Sequence, residues 1–329
     1  MFSKSLFTIV SAASLASAGV IPSWLHLGLK TEISKDVKYY FSFGDSYTQT
    51  GFNLTDGSPL PSPSNPMGNP VYPGWTSANG PNWIDYLTST YNASTTVTYN
   101  MAYGGATIDS NLVVPYRPEV RSIVNQVEDF FLGQIQARKL APWTAENSLF
   151  LIWIGINDIG NSYWKTTGDG GAFHQKLMAS YFAEVNKLYT AGARKFLFVD
   201  VPRIERAPLT ADQGATAIAL EAEAVTSYNS LLSKNVQAFQ AKPGVRAMVF
   251  SSAATFNRIL DNPGVYGFAN ATGYCDKYGN GTPEPTTYYP ECGVSVDKYV
   301  WLNNLHPTWP VHKILAREMA AVADIMVGL

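Results

Sequence analysis

Five short apolar runs alternate along the chain with longer segments of helical periodicity. The runs are apolar throughout, as expected of parallel strands that are covered on both faces, and they cover residues 37–43, 95–101, 148–154, 195–201 and 245–250. The helical segments cover residues 83–91, 120–140, 173–191, 210–240 and 309–326. This alternation predicts an α/β fold in which helices form two outer layers around a central five-stranded parallel sheet.

Two segments are too long and too rich in Pro, Gly and Asn to be ordinary connections. They cover residues 53–82 and 262–300. We expect both to be long loop insertions on the surface of one domain, because the sequence contains no internal repeat and no second core pattern. The predicted domain covers residues 19–329.

The first eighteen residues have the pattern of a secretory signal peptide. Lys4 supplies the positive charge, residues 6–15 the apolar stretch, and Ala16-Ser17-Ala18 the small-residue cleavage site. Four N-x-S/T sequons agree with export and are candidate N-glycosylation sites: Asn53, Asn92, Asn270 and Asn280. We therefore expect cleavage after Ala18 and a secreted, extracellular glycoprotein.

Charge and composition narrow the classes of partner. Charged residues make up 15% of the chain and the net charge is −2, which offers no electrostatic basis for binding nucleic acid or an anionic membrane. No run after the leader is long enough for a membrane helix. We expect a monomer. Aromatic residues are frequent at 13%, and many lie in Gly- and Asn-rich stretches, as suits a surface on which sugar rings stack.

The chain has two cysteines, Cys275 and Cys292, within the second long loop. In an oxidising compartment they are expected to form a disulfide, and closing a loop of this size stabilises the fold by about 3 kcal/mol. No histidine lies at ligand spacing from them, so no metal site is expected. No G-x-G-x-x-G motif follows the first strand, and we expect no cofactor.

Polar residues follow three of the predicted strands. They are Gly44-Asp45-Ser46, Gly104-Gly105 and Gly155-Ile156-Asn157-Asp158. The carboxyl ends of parallel strands meet at one edge of the sheet, where α/β proteins bind their ligands. Ser46, on the turn after the first strand, is either a helix cap or a nucleophile beside backbone amides that stabilise an oxyanion.

A nucleophilic serine needs a general base, and the chain has four histidines. His26 precedes the first strand, His174 lies at the start of a helix, and His312 lies inside the last helix. His306 lies in the loop before that helix, in the sequence His306-Pro307-Thr308. Chemistry is most plausible at this loop position.

Four motifs in this order resemble the GDSL or SGNH hydrolases. They span almost the whole predicted mature chain and are Gly44-Asp45-Ser46-Tyr47, Asn100-x-Ala102-x-Gly104, Gly155-x-Asn157-Asp158 and His306-Pro307-Thr308. The loops resemble the fungal acetylesterase branch, carbohydrate esterase family sixteen, in Pro61-x-Pro63-x-Asn65-Pro66, Gly80-Pro81-Asn82-Trp83 and the run from Tyr103 to Asp109. The resemblance implies the flavodoxin-like, three-layer SGNH-hydrolase fold.

The resemblance also implies a role for each matched residue. Ser46 is expected to be the nucleophile and to offer its backbone N–H to the oxyanion. Gly104, with Gly105 as the less favoured alternative, would offer a second backbone N–H, and Asn157 its side-chain amide. His306 is expected to activate Ser46 and then to protonate the leaving alcohol. Two aspartates beside these residues, Asp45 and Asp158, are expected to organise the loops.

One position departs from the family pattern. The aspartate that normally lies three residues before the histidine is Asn303 here. An amide oxygen can still accept from the imidazole, but it cannot stabilise the imidazolium as a carboxylate does. Three alternatives stay open: Asn303 orients His306, a Ser-His dyad is helped by a backbone carbonyl or water, or Asp297 takes the place of the aspartate. We favour the first.

The function implied is that of a serine esterase that hydrolyses short acyl esters through an acyl-enzyme. Its substrate would be a small acetylated carbohydrate, such as a hemicellulose oligosaccharide, or another short-chain ester. A GDSL lipase or phospholipase for longer acyl chains is one alternative, but the sequence shows no strongly apolar lid. The other is a degenerate carbohydrate-binding protein, which only the missing aspartate favours.

Overall fold

The computed structural model describes residues 34–166, 168–169 and 171–328. The predicted signal peptide and His26 lie outside the described residues. The strands are β1 (Ser34–Gly44), β2 (Ser94–Asn100), β3 (Ser148–Trp153), β4 (Lys195–Val199) and β5 (Arg246–Phe250). They form one five-stranded parallel sheet in the order β2-β1-β3-β4-β5, which confirms the predicted sheet.

Helices cover both faces of this sheet. They are α1 (Trp83–Ser89), α2 (Ile123–Asn125, continued as a π-helix over Gln126–Gln136), α3 (Ile156–Gly160), α4 (Ala172–Thr190), α5 (Pro208–Ala211), α6 (Ala215–Gln240), α7 (Ser252–Asp261) and α8 (Trp309–Val327). α4 packs against α2 and α6, whereas α1 packs against α8. With right-handed crossovers these groups lie on opposite faces, which is the predicted three-layer α/β/α architecture. None of the described helices is both long and apolar enough to cross a membrane.

Two predicted helices differ in the structure. The segment 120–140 begins its helix at Ile123 and is mostly π-helical, with Ala137 N–H donating to Leu132 O at 3.2 Å. Apolar residues spaced three and four apart fit the wider π-turn as well as the α-turn, so their periodicity did not distinguish the two. The segment 210–240 is divided at Gly214, whose φ of 91° lies outside the helical region and separates α5 from α6.

The main core is an aromatic layer around β1. The Phe41 ring lies 5.0 Å from Phe150 on β3, 5.0 Å from Phe131 on α2 and 5.6 Å from Tyr99 on β2, between ring centroids. Phe41 is fully buried, and burying a side chain of this kind contributes about 1.5–3 kcal/mol. β1 is therefore held from both sides, and its carboxyl end is a rigid support for whatever follows it.

A second, smaller cluster of buried residues lies apart from the main core. Its members are Tyr278, Cys292, Val296, Tyr299 and Leu302. The predicted disulfide between Cys275 and Cys292 is present, with the two Cα atoms 5.7 Å apart, and Cys275 packs against the same cluster. Because the cluster ends at Leu302, it supports the start of the loop that carries His306.

Candidate active site

The turn after β1 places Ser46 at the carboxyl edge of the sheet. Gly44 ends the strand in close contact with β3, where an added Cβ would lie 2.4 Å from Trp153 O. The side-chain amide of Gln126 on α2 forms two hydrogen bonds with Gly44: it accepts from the N–H at 2.9 Å and donates to the carbonyl at 2.8 Å. Any larger residue at position 44 would displace the turn that carries Ser46.

Two buried carboxyl groups lie beside the strand ends. Asp45 Oδ1 accepts from Tyr47 N–H at 3.0 Å, and both Asp158 oxygens accept from Ile108 N–H, at 3.0 and 3.2 Å. Burial is the main cause that raises the pKa of each to about 7. Through these hydrogen bonds both carboxyl groups contact backbone amides of the surrounding loops, as expected of residues that organise the loops.

Ser46, His306 and Asn303 form a continuous series of hydrogen bonds. His306 Nε2 lies 2.8 Å from Ser46 Oγ, and His306 Nδ1 lies 3.0 Å from Asn303 Oδ1. The other two described histidines form no hydrogen bond with Ser46: His174 is buried in α4 beside Ser227, and His312 is buried in α8 with its ring 6.1 Å from that of Tyr47. The structure thus brings the predicted histidine to the predicted serine.

The contacts of Asn303 determine which tautomer of His306 fits the site. Asn303 Oδ1 also accepts from the backbone N–H groups of Leu305 at 3.1 Å and His306 at 2.9 Å, and Nδ2 donates to Gly279 O at 3.3 Å. A backbone N–H can only donate, so the amide oxygen must face this side. Nδ1 therefore carries the proton, and Nε2 is left as the acceptor for the Ser46 hydroxyl.

Burial keeps the imidazole neutral. It lowers the pKa of His306 to about 4, so at neutral pH the ring is free to accept a proton. Asp297, the alternative third residue, instead accepts from Ser295 Oγ at 2.6 Å and lies 3.3 Å from Lys298 Nζ. The structure brings Asn303, and not Asp297, to Nδ1.

A short loop holds His306 against the serine turn. Leu302 N–H donates to His306 O at 2.8 Å, and Trp301 forms an isolated antiparallel bridge with Pro307. The Tyr47 hydroxyl, one residue after Ser46, donates to Leu305 O at 2.6 Å. This bond is a direct link between the turn after β1 and the loop of the histidine.

The predicted oxyanion donors line the same cleft as Ser46 and His306. Asn157 Nδ2 donates to Ala106 O at 2.9 Å, which leaves its second N–H for a ligand. Gly104 N–H donates to Gln49 Oε1 at 2.6 Å. Gly105, the alternative to Gly104, also lines the cleft.

Two exposed aromatic residues form walls of this cleft, whose volume is about 640 Å³. Trp75 is 70% exposed and Tyr116 66% exposed. Each ring lies over a glycine with positive φ, Gly51 and Gly105, where an added Cβ would be 2.8 Å and 2.2 Å from the ring. A second cleft of about 450 Å³ shares Trp75 and His306 with the first, so the two meet at the histidine.

Sequence reasoning missed four groups of this site: the Gln49 amide, the Gln126 clasp, the Tyr47 hydroxyl and the aromatic walls. For the aromatic walls, Trp75 and Tyr116, the high aromatic content of the loops was a signal in the sequence. The other three groups had none. Within the described residues no group of three or more His, Cys, Asp or Glu side chains could hold a metal ion.

A hydrogen-bonded serine, histidine and asparagine at the carboxyl edge of a parallel sheet are the arrangement of a serine hydrolase. The family model for GDSL-like Lipase/Acylhydrolase matches residues 40–319. The chain therefore belongs to this family, as its four motifs suggested, and it is a carboxylic ester hydrolase.

Individual relatives cover most of the chain. An acetylesterase of Thermothelomyces thermophilus is 40% identical over 88% of this chain and 89% of its own length. An acetylesterase of Hypocrea jecorina is 25% identical, over 93% of this chain and 95% of its own. A GDSL esterase/lipase of Arabidopsis thaliana is 30% identical over 71% of each chain.

Proposed function

We propose that this chain is a secreted acetylesterase that removes acetyl groups from carbohydrate hydroxyls, such as those of hemicellulose oligosaccharides. The observation that carries the proposal is the hydrogen-bonded series Ser46–His306–Asn303, of which Ser46 and His306 line the cleft. Both fungal relatives are named acetylesterases, which supports acetate as the acyl group.

In the first half of the proposed reaction, Ser46 Oγ attacks the ester carbonyl carbon while its proton passes to His306 Nε2. The carbonyl oxygen becomes an oxyanion, held by the backbone N–H groups of Ser46 and Gly104 and by Asn157 Nδ2. The C–O bond to the sugar then breaks, and the leaving oxygen takes the proton from Nε2. The product is a free sugar hydroxyl and acetyl-Ser46.

In the second half, water replaces the sugar alcohol. His306 takes a proton from the water as it attacks the acetyl carbon, and returns that proton to Ser46 Oγ as acetate leaves. Asn303 accepts from Nδ1–H throughout and holds the ring in place. Being neutral, it gives the imidazolium less stabilisation than a carboxylate would.

The walls of the cleft support a sugar as the alcohol part of the substrate. Trp75 and Tyr116 expose flat aromatic faces, on which the apolar faces of sugar rings stack. The cleft is also lined by polar side chains that can hydrogen-bond hydroxyl groups, among them Ser77 and Arg121. We propose that the sugar rings next to the acetylated one lie against these walls.

Secretion is part of the proposal and is supported by the leader pattern of residues 1–18 and by the disulfide. Among the sequons, Asn280 is exposed, and Asn53, Asn92 and Asn270 are partly buried. A glycan on Asn280 or Asn53 would stand at a cleft that adjoins Ser46 or His306. Mass spectrometry of the secreted protein tests cleavage after Ala18 and the occupancy of all four sites.

The decisive experiment follows deacetylation of acetylated xylo- and manno-oligosaccharides by NMR, with Ser46→Ala as the matched inactive variant. We expect the intact protein to release acetate and the variant to lose nearly all activity. Full activity of Ser46→Ala on a chromogenic acetate ester would overturn the mechanism.

Because one relative is named a GDSL esterase/lipase, the preferred length of the substrate's acyl chain also has to be tested. A series of esters from acetate to palmitate should show the highest kcat/KM at acetate. A preference for chains beyond about eight carbons would favour a lipase of this family. Labelling of Ser46 by a fluorophosphonate tests whether the chain is instead a degenerate carbohydrate-binding protein. A serine without an activating base would not react.

A further inference from the structure

The backbone N–H of Gly104, one of the proposed oxyanion donors, already has an acceptor within the chain. It donates to Gln49 Oε1 at 2.6 Å. Because a backbone N–H only donates, the oxygen of the side-chain amide must face it, and not the nitrogen. A carbonyl oxygen of the protein therefore lies where the carbonyl oxygen of a substrate would have to lie to bind the same N–H.

The side chain of Gln49 can leave this position while its backbone stays in place. The backbone N–H donates to Asp45 O at 2.9 Å, and the backbone carbonyl accepts from Asn82 Nδ2 at 2.9 Å. The residue is half-buried and lines the cleft. Among the described residues, Gly104 alone forms a hydrogen bond with the Gln49 side-chain amide.

We propose that the Gln49 side chain occupies the oxyanion hole of the free enzyme and is displaced by the reacting ester. This inference rests on the proposed function, in which Gly104 N–H stabilises the oxyanion. In the free enzyme the Gln49 carbonyl oxygen accepts from that N–H in place of a substrate oxygen. The side chain then swings away as negative charge develops on the ester oxygen.

The strengths of the competing bonds explain why displacement would follow the chemistry. An amide oxygen and an ester carbonyl oxygen are both neutral acceptors, so the ground-state ester gains nothing by replacing Gln49. A hydrogen bond to an oxyanion is charge-assisted and roughly twice as strong as a neutral one. The hole therefore favours the transition state over the bound ester, which is the condition for raising kcat.

Two substitutions of Gln49 should have opposite effects. Gln49→Ala empties the hole, so kcat/KM for a small acetate ester should rise and the inhibition constant of methylboronic acid should fall, each about three- to tenfold, the worth of one neutral hydrogen bond. Methylboronic acid tests the hole directly, because its boron bonds to Ser46 Oγ and its oxygen takes the place of the oxyanion.

Gln49→Glu should do the reverse. Its carboxylate would hold the Gly104 N–H more strongly and repel an oxyanion, so kcat/KM should fall at least about tenfold at neutral pH and recover as the new carboxyl is protonated. Arg121 and His306 also line the cleft, so the pH profile is compared with that of the unchanged enzyme. Gln175→Ala, on the exposed face of α4, is the matched control and should change neither value.

Opposite signs for the two variants distinguish this role from a structural one, which would lower activity in both. If both variants lower kcat/KM and weaken boronate binding, Gln49 supports the loop or donates to the oxyanion, and the proposal is overturned. A fully active Ser46→Ala protein would overturn the proposed function and this inference with it. If Ser46→Ala is inactive but both Gln49 variants change kcat/KM in the same direction, this inference is overturned and the proposed function stands.

Discussion

The two sides of the active site are supported by different parts of the molecule. Ser46 follows a central strand that is buried in the aromatic layer, and the Gln126 side chain clasps the strand end. His306 and Asn303 instead lie on a loop beside the small cluster and the disulfide, and Asn303 is anchored to Gly279 within the disulfide-closed segment. The serine side therefore rests on the sheet, and the histidine side on a surface loop.

Substitutions on the two sides of the site should therefore differ in their effect on stability. The whole core stabilises the sheet edge. Substitutions there should therefore lower the rate of the reaction with little change in the free energy of unfolding. Changes in the loop should lower the local stability, and those that remove a contact of His306 or Asn303 should also alter the position of His306. The predictions that follow test this contrast, beginning with the largest expected effect.

Asn303→Ala should lower kcat/KM by about 10³- to 10⁴-fold, because His306 loses the acceptor that holds its Nδ1 proton. Kinetics with a small acetate ester measure the loss, and the thermal melting temperature reports on the loop. The matched control is Asn304→Ala, the exposed neighbouring asparagine, which should keep full activity. A loss below about tenfold would favour a Ser-His dyad or Asp297 instead.

Asn157→Ala tests the sheet side. Removing one side-chain donor from an oxyanion hole typically lowers kcat by about 10²- to 10³-fold. We expect this loss with only a small fall in melting temperature, because among the described residues the side chain forms one hydrogen bond, to Ala106 O, which contributes about 1 kcal/mol. Asn161→Ala, exposed at the end of α3, is the control. An equal loss in both variants would contradict a role at the oxyanion.

Replacing both Cys275 and Cys292 by Ala should lower the free energy of unfolding by about 3 kcal/mol. Denaturant unfolding measures this loss. At low temperature the folded variant should retain most of its kcat, and heating should inactivate it earlier. The chain has only these two cysteines, so a reductant should reproduce the effect and leave the variant unchanged. Unaltered stability would mean that the loop is held without the disulfide.

Asn303→Asp should shift the acid limb of activity to higher pH. The base works when deprotonated, and burial lowers the pKa of His306 to about 4, so the natural enzyme should lose activity only as pH falls through that value. A carboxylate beside Nδ1 stabilises the imidazolium and raises this pKa by about one to three units. The pH profile of kcat/KM measures the shift. An unmoved or lower acid limb would contradict the assignment.

Tyr47→Phe removes the hydrogen bond that links the two sides, from the Tyr47 hydroxyl to Leu305 O. We expect a loss of about 1 kcal/mol in stability and a fall of about fivefold in kcat/KM. Tyr99→Phe is matched, since Tyr99 donates to Leu140 O at 2.8 Å in the main core. It should lose similar stability and keep its activity. Equal kinetics in the two variants would show that the link does not position His306.

The sequence predicted most of the sheet because apolar strands leave a signal that needs no tertiary information. Each strand was found within a few residues, and so were α1, α4 and α8. The π-helical part of α2 and the break at Gly214 were not found, since spacing along the chain does not record which carbonyl each N–H reaches. α7 was missed as well, and its Ser251 cap was the signal that could have shown its start.

The sequence alone determined the fold class, the family and which serine and histidine to examine, because strand patterns and motifs are local properties. The tertiary structure determined which of these side chains contact one another. It brought Ser46 and His306 together over 260 positions of sequence, set Asn303 rather than Asp297 against the imidazole, and put the Gln49 amide on Gly104 N–H. These contacts depend on distances of a few ångströms between loops, which are set only when the sheet and the disulfide-closed segment have packed.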